Sequence, residues 1–139
     1  QRQMCIRDRL QAARAQAVPQ RLLLVFAGAE LPDDATPEQR AEFAAGQGGA
    51  LVPLMCVDKR PEELASFAQL RAEADGQHSG WRLVLAGALS GAPGQTPSDA
   101  AVDDALQRVL GLIQAGRMDQ VLAQMLAFTR DGLAVPLRA

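Results

Sequence analysis

The chain has 139 residues, which suits one domain able to hide roughly two thirds of its unfolded surface, and its 48% apolar and 22% charged residues are ordinary for a globular fold. A formal charge of −2, one tryptophan and no tyrosine leave it without the basic footprint or the stacking platform of a nucleic-acid binder. One histidine (His78), one lysine (Lys59) and two cysteines (Cys5, Cys56) are too few for most catalytic sets, and no apolar run approaches the ~18 residues of a membrane span.

Residues 1–9 (QRQMCIRDR) resemble the translated read-through of a sequencing adapter. They lack the apolar stretch of a secretory signal and are set aside as non-native, with 10–139 taken as a single domain. Without Arg2, Arg7, Arg9 and Asp8 the rest has 11 basic and 15 acidic residues, a charge of −4. It keeps only Cys56, so no disulfide forms within it, which fits a cytoplasmic location.

Residues 10–17 read as an alanine-rich helix stopped by Pro19. The run 21–29 (RLLLVFAGA) reads as a strand buried on both faces. After a loop over 30–35, Thr36, Pro37 and Gln39 supply the cap, the first-turn proline and the capping box of a helix ending at Gly46. The second strand is 50–57 (ALVPLMCV), and Pro53 places it at a sheet edge or in a bulge. Pro61, Glu62 and Glu63 open the next helix, with Leu64, Phe67 and Ala68 as its buried stripe and Gly76 beyond its end.

The third strand is 81–89 (WRLVLAGAL), followed by a Gly- and Pro-rich loop to Thr96, which repeats the capping pattern of Thr36. Val102, Leu106, Val109, Leu110 and Ile113 have helical spacing, and Gly116 ends that helix. A short helical stretch then leads to a terminal hairpin around Arg130, Asp131 and Gly132. Alternating helices and strands of this kind predict an α/β fold: a mixed, mostly parallel sheet of four or five strands, with flanking helices and a C-terminal hairpin.

Most chemical motifs are excluded. The only lysine is not in a P-loop, neither Gly28 nor Gly87 starts a dinucleotide fingerprint, and the Cys and His content cannot complete a zinc shell. Ser90 follows a strand as a nucleophile would, but Pro93 and Gly94 prevent a direct helix, and His78 lies at the far end of the same strand. In a parallel sheet the carboxyl ends of the strands form the binding edge. That edge would gather Glu30, Asp33 and Asp34 with Asp58, Lys59 and Ser90, where carboxylates and a lysine suit Mg²⁺ and a phosphate. The arrangement faintly resembles the acidic pocket of a receiver domain, while the same residues also suit loops and caps.

Residues 21–36 (RLLLVFAGAELPDDAT) and 48–59 (GGALVPLMCVDK) resemble a family of small betaproteobacterial proteins that often carry the name "ribonucleotide reductase subunit alpha". The resemblance runs from Leu10 to near the end, and departs from the family where Thr129 stands in place of an aspartate. Reductase radical chemistry needs a radical cysteine and a redox pair on a much longer barrel, whereas this body has Cys56 alone. At most the name implies an accessory protein. The chain therefore reads as a non-enzymatic interaction or small-ligand-binding module, with a homodimer or protein partner and no nucleic acid, membrane or required cofactor. The alternatives are a Mg²⁺-dependent phosphate-handling or phospho-acceptor domain and a hydrolase centred on Ser90.

Overall fold

The computed structural model describes residues 19–31, 33–45, 50–63 and 66–135. The adapter-like segment, the expected helix over 10–17, Leu64 and residues 136–139 lie outside them. Strands β1 (Gln20–Glu30), β2 (Ala50–Lys59), β3 (Leu83–Ser90) and β4 (Leu126–Thr129) form one sheet in the order β2-β1-β3-β4. Helices α1 (Pro37–Ala44), α2 (Phe67–Gln77), α3 (Asp99–Gln114) and α4 (Met118–Leu122) flank it. Every neighbouring pair of strands is antiparallel, which corrects the expected mostly parallel sheet.

β1 is central because its side chains are apolar on both faces. Leu22, Leu24 and Phe26 meet Leu70 and Ala74 of α2, with Trp81, Val84, Ala86 and Phe128, on one face. Leu23 and Val25 meet Val102, Ala105, Leu106, Val109 and Ile113 of α3, with Val121 of α4, on the other. The alternation follows from the two-residue repeat of a strand. At ~25 cal/mol per Å² of apolar surface, these two layers supply most of the folding drive.

The strand directions follow from what each helix can bury. A crossover helix must lay an apolar stripe on the sheet. α1 has no buried residue, so the segment between β1 and β2 returns as a long hairpin connection. α2 does bury a stripe, and it carries the chain from β2 to β3 across β1. β2 and β3 thus run parallel to each other but are separated by β1, which is antiparallel to both. α3 lies across the strands: Asp99 at its start is bonded to Arg21, while Arg108–Leu112 stand near Gly87 of β3. The chain therefore reaches β4 from the end where β3 finished, and β4 pairs antiparallel.

The Thr36 capping box is complete, with Gln39 N donating to Thr36 Oγ1 at 3.1 Å and Thr36 N to Gln39 Oε1 at 2.9 Å. Pro53 sits in an edge strand beside a register shift, where Phe26 faces Met55 but Ala27 faces Pro53. The helix expected from Pro61 is only a 3₁₀ turn over Pro61–Glu63. α2 starts later under a Ser66 cap, exposes Ala68 and contains Gly76. Ser98, not Thr96, caps α3, its Oγ accepting from Ala101 N at 3.1 Å. The terminal turn closes with Thr129 N donating to Leu133 O at 2.9 Å and Val135 N to Ala127 O at 2.8 Å, so residues 133–135 cover the outer side of β4. No helix among the described residues is long and apolar enough to cross a membrane.

Candidate functional site

The antiparallel sheet separates the residues expected to form an acidic site. Glu30 pairs with Ala50, whereas Leu22 pairs with Lys59 and Leu23 with Asp58. Eight strand steps, roughly 26 Å, thus lie between Glu30 and the Asp58–Lys59 end. Asp33 and Asp34 belong to the exposed turn after β1, where Asp33 O accepts from Arg40 Nη2 at 3.0 Å. Ser90 does share the sheet end with Asp58 and Lys59, because β2 and β3 run the same way. There its Oγ accepts from Gln20 Nε2 at 3.2 Å. His78 lies at the opposite end of β3, with Nδ1 accepting from Gly80 N at 3.2 Å.

Asp58 and Lys59 are themselves on opposite faces, as strand neighbours must be. Asp58 points to the α3 side and pairs with Arg21, which also bonds Asp99 Oδ1 at 2.6 Å and Pro97 O at 3.3 Å. These two carboxylates raise the Arg21 pKa, and the Arg21 hydrogen bond holds the Asp99 carboxyl below its ordinary range. Lys59 points to the α2 side and pairs with Glu73 at 3.1 Å. No group of three or more His, Cys, Asp or Glu among the described residues is placed to hold a metal ion. Cys56 is half-buried on the α3 side, where burial pushes its thiol pKa up and lowers its reactivity.

A second polar cluster ties the terminal turn to α2. Asp75 Oδ1 accepts from the Trp81 indole N–H at 3.0 Å, and both Asp75 oxygens accept from Arg130 Nη2 at 2.8 Å. Arg130 also donates to Trp81 O at 3.0 Å and stacks 4.4 Å above the indole ring. Trp81 is buried, and each of these groups has its partner inside the cluster. The arrangement is structural.

Among the described residues, a concave feature with room for a ligand lies elsewhere, on the α3 and α4 side. It is a cleft of about 420 Å³, within the usual range of small-molecule sites. Leu23, Gly87 and Ala88 of the sheet, Ala105, Val109 and Leu112 of α3, and Met125 before β4 form its apolar wall. Arg108, Gln120 and Gln124 form its polar rim. A Cβ on Gly87 would stand 3.1 Å from Met125 Cγ, so the missing side chain lets Met125 settle against the sheet. Gly111 is exposed on α3, and a Cβ there would meet nothing within 4 Å. None of these residues belongs to a recognisable motif. The one signal in the sequence is Gly111, an unfavourable residue for the interior of an amphipathic helix.

The chain matches no family model, no curated protein and no solved structure.

Proposed function

We propose that the protein is a binding module that takes a small ligand in the cleft between α3, α4 and the sheet. The cleft itself is the observation that supports this: about 420 Å³ with an apolar wall and a few convergent polar groups at one rim. Binding suits it better than catalysis, since Arg108 is the one titratable residue among the described residues that line it, and an arginine keeps its proton. A cytoplasmic location accompanies this reading, supported by the free Cys56. The test is titration with 8-anilinonaphthalene-1-sulfonate, an apolar fluorophore with one negative charge. Saturable binding that Gly111→Leu abolishes is expected. Unsaturable emission, or binding indifferent to Gly111→Leu, would refute the cleft as the site.

A second reading is self-association through β2. Among the described residues this ten-residue strand is an edge of the sheet, half-buried from Leu51 on and apolar up to Val57. Such edges pair with other strands unless protected, and Pro53 with its bulge protects only part of this one. Sedimentation velocity should show a mass that rises with concentration. A constant monomer mass across the micromolar range would rule the reading out.

A further inference from the structure

We infer that the cleft selects a small monoanion with an apolar body, of which a medium-chain carboxylate is the simplest member. The inference rests on the binding reading above and adds the charge and shape of the ligand. Leu23, Val109, Leu112 and Met125 offer dispersion contacts but no hydrogen-bonding side chain, so the inner part of the ligand must be apolar. The rim offers donors. Arg108 carries a permanent charge and five N–H groups, and the Gln120 and Gln124 carboxamides add neutral donors.

Arg108, like Arg40, Arg60 and Arg82, has no ion pair among the described residues, and it alone of these four lines the cleft. Arg21, Arg71, Arg117 and Arg130 each hold a carboxylate within 4.0 Å. Arg108 holds none among the described residues, and no carboxylate lines the cleft beside it. This leaves a guanidinium with no ion-pair partner among the described residues at the edge of a largely apolar cleft. A carboxylate can meet it with two parallel hydrogen bonds while its alkyl chain enters the cavity. At a water-like ~30 Å³ per heavy atom, the cleft has room for roughly a dozen, the size class of octanoate. A protein helix would need an apolar groove spanning several turns, which a single pocket of this volume does not offer.

The test compares octanoate with 1-octanol by NMR titration of the ¹⁵N-labelled chain, using the wild type, Arg108→Gln and Gly111→Leu. Octanoate should move the amides of Gly87, Gly111 and Gln124 and bind about five- to tenfold tighter than octanol, a charge-assisted contact partly screened at an open rim. Arg108→Gln should remove that preference, bringing octanoate affinity down to that of octanol measured on the same variant. Gly111→Leu should weaken both ligands. Octanol binding as tightly as octanoate, or octanoate indifferent to Arg108→Gln, would overturn the choice of a monoanion and leave the binding reading standing. Absence of cleft shifts with either ligand would overturn both.

Discussion

Replacing Asp75 tests how the fold is held at the end of α2. In Asp75→Ala the buried Trp81 N–H loses its acceptor and Arg130 loses two hydrogen bonds. An orphaned buried donor costs about 1–3 kcal/mol. The ion pair adds less than about 1 kcal/mol, because the Asp75 and Arg130 side chains are 34% and 37% exposed and solvent screens them. Alanine's better helix propensity returns about 0.5 kcal/mol. The net loss is then about 2 kcal/mol, or roughly 6–8 °C in Tm for a chain of this size. Asp75→Asn keeps an oxygen for the indole and should lose less than about 1 kcal/mol. Urea denaturation followed by Trp81 fluorescence and far-UV circular dichroism measures both. If Asp75→Ala stays within 0.5 kcal/mol of wild type (about the noise of such comparisons), or if the two variants lose the same amount, the orphaned-indole argument is wrong.

Gly91→Ala should destabilise by at least about 2 kcal/mol in the same assay, because its Cβ would stand 1.9 Å from Gln95 O and backbone would have to move. Gly111→Ala should raise stability by up to about 1 kcal/mol, since a helix-interior glycine becomes an alanine with nothing within 4 Å of the new carbon; a loss would show that the site is not open. The depressed Asp99 pKa makes its contribution present above the ordinary carboxylate range and lost as acid protonates it. The stability gap between wild type and Asp99→Asn should therefore narrow below about pH 4, and a gap constant from pH 6 to pH 3 would contradict this. Cys56, with its raised pKa, should react with iodoacetamide more slowly than glutathione at pH 7.5 in the native state, and at a comparable rate in urea.

The sequence carried the elements better than their directions. The apolar run over 22–29 reads as a strand covered on both sides, and β1 is that strand. Caps at Thr36 and the proline in β2 also read correctly, because they are contacts between neighbours in sequence. Direction depends on whether a helix packs on the sheet, and here the useful signal was weak but present. Residues 37–44 (PEQRAEFA) contain one large apolar side chain, Phe43, and it stacks with Arg82 instead of entering the core. A helix with no stripe to bury cannot be a crossover, so the pairing of β1 with β2 had to be antiparallel. The angle of α3 across the strands had no comparable signal, since the stripe at Val102, Leu106, Val109 and Ile113 is the same at any crossing angle.

That difference in directions also determines where a ligand can bind. The rule that strand ends gather binding residues applies where neighbouring strands are parallel. Once β1 runs against β2, Glu30 and Asp58 lie at opposite ends, and no conformational adjustment short of refolding the sheet unites them. Charged residues that do meet at one end, Arg21, Asp58 and Asp99, are bound to one another, with both carboxylates on the one guanidinium. The cleft instead lies between α3 and the sheet, lined by Arg108, Val109 and Leu112 of the helix, Gly87 and Ala88 of β3, Met125 and the two glutamines. Its residues come from four separate stretches of chain, and only Gly111 departs from what packing alone would choose. Gly111→Ala therefore bears on both fold and function: if it stabilises the chain as the open geometry requires, the glycine is there for something other than stability.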